Sequence, residues 1–381
     1  MFKSGVPVYG DEFIDRKEHI KKFNTYIKNN QHITIKAPRR YGKTSLIVHI
    51  FKLYDYPTIY IDLQRATSLK SLAENIIDEA YNLAGIENII YKAKESISSL
   101  FKYVKTKLKV DLEIFELTIE TLEKNQKNQI KDIELFLYSL NLVEEIAKKQ
   151  NINIKFAFDE FQDILTLADK SILKQTRSIL QHHQHVTYIF LGSIESIMNS
   201  IFSDKKSPFF HFSRIIELDG LDIDELINFC NNFFKEKNIK TTPFLDDILR
   251  FLEGHPYYSM KTLQSIYFFA LENNNQIIDK EDYINALKNA FFETKSYLEE
   301  VIENLKQKKY HYSVLWHLAN DSKDLSLNSS TLYKTLKSLE DMGYVRKLAR
   351  GEYKITDKFL EILLQQDNKM VFENKLKLKG L

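Results

Sequence analysis

The apolar positions of the chain fall into two rhythms, and the change between them divides it. From residue 33 to about residue 218, short apolar runs of buried-strand type alternate with stretches of helical period. The runs are Ile33 to Ile35, Pro57 to Leu63, Ile152 to Phe158, Val186 to Leu191 and Ile215 to Leu218. Between them lie helical faces: Leu46, Ile47 and Ile50, then Leu69, Leu72, Ile76 and Ala80, then Phe136, Leu140, Val143 and Ile146. A further amphipathic helix, with Ile20, Phe23 and Ile27 on one side, comes first. Strand, helix, strand, helix predicts an α/β fold with a parallel sheet core. The rhythm breaks from about residue 88 to 130. There Lys107 to Ile114 and Leu117-Thr118-Ile119 alternate with period two, so an inserted β ribbon is expected beside the sheet.

From Asp222 to about Ser296 the period is helical throughout, which predicts a small helical domain. Gly254-His255-Pro256 lies between two of its helices, where Gly can end one and Pro can open the next. After residue 301 the style changes again. Tyr312, Leu315, Trp316 and Leu318 mark a helix, and Ser329-Ser330 are placed to cap a second one through Leu332, Leu336 and Leu339. Gly343 ends it, Tyr344 to Ile355 reads as a β-hairpin, and a last helix follows. Helices followed by a two-stranded wing predict a winged helix-turn-helix. The expected division is a core at 1–221, carrying the ribbon at about 88–130, a helical lid at 222–300, and a winged-helix domain with a C-terminal tail at 301–381.

Composition narrows the possibilities only a little. With 381 residues, 44% hydrophobic and 28% charged, the chain is long enough for two or three domains with proper cores. A formal charge of +2 excludes a molecule that is basic all over, so any nucleic-acid contact has to come from local asymmetry. The one cysteine, Cys230, has no partner for an internal disulfide, and its apolar helical surroundings mark it as core filler. No window reaches the ~18 apolar residues of a membrane span, and residues 1–30 are charged throughout. The expectation is a cytoplasmic protein without export signal or anchor.

The chemistry gathers at the ends of the apolar runs. After Ile35 comes Lys36-Ala37-Pro38-Arg39-Arg40-Tyr41-Gly42-Lys43-Thr44-Ser45, and then a helical pattern. Between a strand and a helix such a loop turns its backbone N–H groups toward a phosphate, Lys43 meets the β/γ-phosphates, and the Thr44 hydroxyl completes a Mg²⁺ shell. Ala37 replaces the usual first Gly and is still small enough for the turn. The third run ends in Asp159-Glu160, two carboxylates where ligands of open parallel sheets bind. Asp159 would hold the Mg²⁺-bound water and Glu160 would polarise the attacking water. The fourth run ends at Ser193, which either senses the γ-phosphate or caps the next helix. Arg214 opens the last run, as an arginine supplied to a neighbouring subunit or as a surface ion-pair partner. Phe13 and Ile14 either line an adenine pocket or pack a first helix on the sheet. The cluster His182-His183-Gln184-His185 follows a helix, where the dipole favours His, and it does not form a metal ligand set.

In this order, phosphate loop, Asp-Glu strand, Ser193, Arg214, Gly-His-Pro and winged helix, the chain resembles the AAA+-related archaeal-type ATPases, close to the STAND ATPases and the origin-recognition clade. Ala-Pro-Arg-Arg-Tyr-Gly-Lys-Thr-Ser-Leu is the most specific piece of the resemblance. It implies that Gly42, Lys43, Thr44 and Ser45 belong to Walker A, Asp159 and Glu160 to Walker B, Ser193 to sensor 1, Arg214 to an arginine finger, and His255 with Pro256 to a lid motif facing the nucleotide. Many relatives carry an arginine in this lid, whereas here the nearest basic residue is Lys261. The implied function is an ATP-binding, ATP-hydrolysing switch using Mg²⁺, with Lys43, Glu160, Ser193 and Arg214 in the chemistry, and with a homo-oligomer as one arrangement. Double-stranded DNA is the expected partner of the winged helix, through Lys334, Lys337, Arg346, Lys347, Arg350 and Lys354. Its recognition helix is expected to turn Thr331, Lys334, Thr335 and Ser338 outward. The alternative is a signalling regulator whose winged helix binds protein or locks the nucleotide site.

Overall fold

A computed structural model describes residues 2–89, 91, 111–127, 131–193, 195–272, 277–322, 325–349 and 351–365. Its first half is built on a five-stranded parallel sheet in the order β2-β3-β4-β1-β5, formed by β1 (Ile33–Lys36), β2 (Thr58–Asp62), β3 (Ile154–Asp159), β4 (Val186–Gly192) and β5 (Arg214–Glu217). Every residue of β1, β3 and β4 is buried, because both faces of the sheet are covered. The strand period of two then sorts the side chains. Phe156, Phe158, Tyr188 and Phe190 point to one side, against α3 (Leu69–Leu83), α5 (Asp132–Gln150) and α6 (Ser171–Leu180). Ile33, Ile35, Ala157, Ile189 and Leu191 point to the other, against α1 (Lys17–Lys28) and α2 (Lys43–Tyr54). This is the parallel α/β core that the alternating rhythm predicts.

The ribbon expected over about 88–130 is corrected where the structure describes it. Leu112–Gln126 forms a helix, α4, capped by Asp111, whose carboxylate accepts from the N–H groups of Glu113 and Ile114. Phe115, Ile119 and Leu122 recur at helical spacing and are buried, and this face outweighs the short period-two stretch. The Lys107 to Val110 part of the expected ribbon lies outside the described residues. The histidine cluster is engaged in packing: His183 bonds Tyr188 at 2.6 Å and Asn141 at 3.2 Å, and His185 meets Glu144 at 2.8 Å.

After α7 (Glu195–Phe202) and β5, the chain runs through α8 (Ile223–Glu236), α9 (Phe244–Phe251), α10 (Pro256–Glu272) and the long α11 (Lys280–Lys306). It then forms α12 (His311–Ala319), α13 (Ser329–Asp341), an antiparallel hairpin of β6 (Val345–Ala349) and β7 (Glu352–Ile355), and α14 (Lys358–Leu364). The boundary expected at 300 falls within α11. One continuous apolar core joins Leu226, Cys230, Leu263 and Leu287 to Leu315, Leu339 and Phe359. Cys230 is wholly buried, and burial pushes its thiol up. The cap of α13 is Asn328, whose side chain accepts from Thr331 N–H at 2.8 Å, so Ser329 and Ser330 are its first helical residues. Among the described residues no helix is long and apolar enough to cross a membrane.

Where the core meets the helices, the two backbones touch. Gly254 has φ +67°, and a Cβ there would lie 2.2 Å from the carbonyl oxygen of Leu221, whose N–H donates to Gly254 O at 2.8 Å. Only Gly accepts both the left-handed conformation and the close approach. Gly254→Ala should therefore lower stability by roughly 2 kcal/mol, read as a lower urea midpoint with little change in slope.

Candidate nucleotide site

The reversal from β1 to α2 shapes the site. Arg40 (φ 68°) and Gly42 (φ 83°) both lie in the left-handed region, which folds residues 37–42 over the start of α2. Lys43 is the first residue of that helix and is buried. Its Nζ donates to the carbonyls of Ala37 at 3.0 Å and Pro38 at 3.1 Å, so the cation is held inside the loop. Thr44 Oγ1 donates to Asp159 Oδ2 at 2.7 Å, tying the first turn of α2 to the end of β3. Tyr60, on the same sheet face from β2, donates its hydroxyl to that oxygen as well, and Asp159 Oδ1 accepts from the Glu160 N–H at 2.9 Å. Burial raises the Asp159 carboxyl above the ordinary range, and the hydroxyls of Tyr60 and Thr44 pull it part of the way back.

Glu160 stands at φ 51°, one residue beyond β3. Its Oε2 accepts from the Gln162 amide at 2.6 Å, from Ser193 Oγ at 2.6 Å and from Ser193 N–H at 3.1 Å. The ends of β1, β3 and β4 thus bring Lys43, Thr44, Asp159, Glu160 and Ser193 together, and the Ser193 side chain faces the carboxylate. Hard oxygen donors at Thr44 and Asp159 suit Mg²⁺. Sequence reasoning missed Tyr60 and Gln162. Tyr60 sits within an apolar run and only the sheet register puts it beside Asp159, whereas Gln162, two residues beyond Glu160, could have been suspected from the tight turn.

The chain before the first strand is strapped across α2. Val8 N–H donates to Ser45 Oγ at 3.2 Å and Gly10 N–H to His49 Nδ1 at 3.1 Å, while Phe13 stacks on His49 at 4.1 Å. Phe13 and Ile14 then line an apolar cleft with Gly42, Ser45, Met260 and Pro256, which joins the adenine-side and packing readings at one place. His255 lies across from the loop, its ring 4.7 Å from that of Tyr41 and stacked on Tyr258 at 4.0 Å. The Arg16 guanidinium, nearly buried, donates to the carbonyls of Asp219 at 2.6 Å, Tyr41 at 3.3 Å and Gly220 at 3.4 Å, and so pins this segment to the loop and to the junction with the helices. Arg214 is placed elsewhere. It is exposed and pairs in register with Ile33, at the end of β1 away from the phosphate loop, so within one chain it does not reach the site.

The expected DNA-contacting cations are partly engaged. Arg346 pairs with Glu253 at 3.3 Å, Lys354 pairs with the same carboxylate, and Lys337 pairs with Glu340 at 3.0 Å and Asp341 at 3.2 Å. Lys334 and Lys347 are exposed, and Arg350 lies outside the described residues. The outward face expected of the recognition helix is corrected. Thr335 is buried with its hydroxyl on Thr331 O, and Ser338 is bonded to His311, because α13 packs against both α12 and α7.

A lysine held in the strand-to-helix loop, an acidic pair and a polar residue at adjacent strand ends of a parallel sheet are the arrangement of a P-loop ATPase. Residues 13–262 match the family of ATPase domains found predominantly in Archaea, and the chain belongs to that family. It is an ATPase. The fold is similar to that of the Walker-type ATPase of Pyrococcus abyssi, at 18% identity and a TM-score of 0.69, over 95% of this chain and 99% of that one. It is also similar to the ORC2 protein of Aeropyrum pernix in complexes with ADPNP and ADP, at 11% identity and a TM-score of 0.56, over 95% of this chain and 92% of that one. No curated protein sequence matches the chain.

Two histidines, His255 buried and His32 half-buried, give the fold a pH dependence. Burial, with Arg177 and His183 adding, pushes His32 down to about 4, and burial beside Arg40 pushes His255 down to about 3. The unfolded chain takes up a proton on each near pH 6.5, which the folded chain refuses, so their contribution is full above 6.5 and is lost as pH falls toward 4. Two protons correspond to a slope of about 2.7 kcal/mol per pH unit. Urea midpoints at pH 7.5, 6 and 5 should fall accordingly, and a flat series would mean that both rings are hydrated.

Proposed function

We propose that the protein is a nucleotide-operated switch, in which ATP binds between the sheet core and the helical unit and the C-terminal winged helix is docked against that site. Helices α8–α11 act as the lid, and α12–α14 with the hairpin act as the winged helix. Loop N–H groups and Lys43 bind and orient the phosphates, while Phe13, Ile14 and Pro256 hold the base. Thr44 and Asp159 would hold Mg²⁺, which when bound neutralises charge on the β- and γ-phosphate oxygens. Glu160 aligns the attacking water and accepts its proton, and Gln162 and Ser193 set the carboxylate's direction. Arg214 is a candidate to complete the site of a neighbouring copy, since its exposure leaves it accessible to one.

The observation that carries the switch reading is Glu253. It precedes Gly254-His255-Pro256 directly and receives both Arg346 and Lys354 of the hairpin, so the loop facing the nucleotide is clasped to the wing. Pairs this exposed are worth about 0–1 kcal/mol each, weak enough to be released by a change at the nucleotide. Two of the six cations expected for DNA are spent on this carboxylate, which favours docking over a free DNA-binding face.

Two experiments test this reading. Lys43→Ala should abolish ATP binding, while Glu160→Gln should bind ATP and hydrolyse it at least 10²-fold more slowly; wild-type turnover by Glu160→Gln would remove Glu160 from the role of base. Glu253→Ala should free the hairpin, seen as faster tryptic cleavage near Lys347 without change in the urea midpoint of the core. Strong duplex binding by the wild type, falling steeply between ~50 and ~200 mM salt and unaffected by Glu253→Ala, would instead support the DNA reading.

A further inference from the structure

Among the described residues of the helical unit, Arg250 is paired to Asp224, and Lys261, the first basic residue after Gly254-His255-Pro256 in the sequence, is ion-paired to Glu293 on α11. The reverse arrangement is present. Arg40 belongs to the phosphate loop, and its guanidinium carbon lies 4.3 Å from the ring centre of Tyr257 on α10 and 4.1 Å from that of Tyr297 on α11. A planar cation between two aromatic faces sits in a built receptor, since the guanidinium stacks on rings and is weakly hydrated. The enclosure continues behind the rings. Tyr258 stacks on His255, donates to Asp357 at 2.7 Å and packs face to face with Phe359 at 4.2 Å. Asp357 is half-buried at the N-terminus of α14, and the positive charge of Arg40 reaches it. The loop, the lid helices and the C-terminal helix therefore meet around one side chain.

We infer that Arg40 is a positioning residue that couples the phosphate loop to the lid: the core closes on the helical unit by inserting a loop arginine into a tyrosine cage. The inference rests on the nucleotide site proposed above and adds the contact by which that site is read. The coupling has a physical basis in the backbone. Arg40 is held at φ 68°, a conformation that L residues adopt only when their surroundings enforce it. Phosphate bound by the loop N–H groups fixes that backbone from one side, and the cage fixes the side chain from the other. Each ordering lowers the entropy that the other must remove, so nucleotide binding and lid docking favour each other, and by linkage the effect is reciprocal.

The test uses the full chain and three variants: Arg40→Ala, the pair Tyr257→Phe with Tyr297→Phe, and the pair Tyr257→Leu with Tyr297→Leu. Arg40 is exposed and both tyrosines are only half-buried, so the variants should fold, as urea midpoints would verify. Affinity for a non-hydrolysable ATP analogue and nucleotide-induced hydrogen-exchange protection of residues 219–221 and 253–256 are the readouts. The Phe pair should stay within about twofold of wild type, because the ring faces remain. The Leu pair should lose about tenfold in affinity together with the induced protection, and Arg40→Ala should do the same. Combining Arg40→Ala with the Leu pair should add little, because one contact has been removed twice. A Leu pair that behaves like the Phe pair overturns the inference, as does an Arg40→Ala effect that adds in full to the Leu pair, which would place Arg40 on the phosphates alone. Failure of the wild type to bind the analogue would instead remove the nucleotide site itself, and Lys43→Ala separates that outcome by abolishing only genuine phosphate-loop binding.

Discussion

The reversal between β1 and α2 is the constraint on which the rest depends. A strand buried on both faces must leave the sheet at Lys36 and enter a helix at Lys43 within six residues, and two left-handed residues make that possible. The turn holds the Lys43 ammonium against the loop carbonyls and places Thr44 within reach of Asp159. It also throws Arg40 outward, into the helical unit. The proposed phosphate site and the contact with the helical unit thus share one backbone conformation.

The joints of the helical unit differ in strength: one ties it to the core, the other to the C-terminal hairpin. At Gly254 and Leu221 two backbones are in contact, and the buried Arg16 ties three carbonyls nearby. Breaking such a joint leaves buried polar groups unpaired, which costs about 1–3 kcal/mol for each. Glu253, Arg346 and Lys354 are partly exposed, and water can replace either side of their pairing at little cost. The tight joint therefore lies toward the core and the weak one toward the hairpin, which is the order the proposed switch requires.

The two adjacent carboxylates show a similar division. Asp159 is buried and saturated by Thr44, Tyr60 and the next backbone N–H, so it cannot turn. Glu160 sits one residue later in a left-handed turn, and only side chains and one amide of the neighbouring strand orient it. Adjacent residues of like charge are thereby given different surroundings, one fixed from three sides and the other oriented by Gln162 and Ser193, which supports the separate roles proposed for them.

Local chemistry sufficed wherever a function needs a contiguous run. The phosphate loop, the Asp-Glu pair, the small residue after β4 and the hairpin are each written within a few residues, because strand ends, tight turns and caps are set by neighbours in sequence. The helix at Leu112–Gln126 was misread, since a short period-two stretch looks the same whether or not a longer helical face crosses it, and only packing against the core decides between them. Other features depend on side chains far apart in the chain. Tyr60 meets Asp159 through sheet register, Arg40 meets Tyr257 and Tyr297 through the docking of whole helices, and Arg346 and Lys354 meet Glu253 across the turn of the C-terminal unit. The sequence by itself therefore determined which polar residues stand at the strand ends: Lys43, Thr44, Asp159, Glu160 and Ser193. The tertiary structure decided what those residues report to, because the energy of a cation depends on what faces it, and no local pattern records the facing partner.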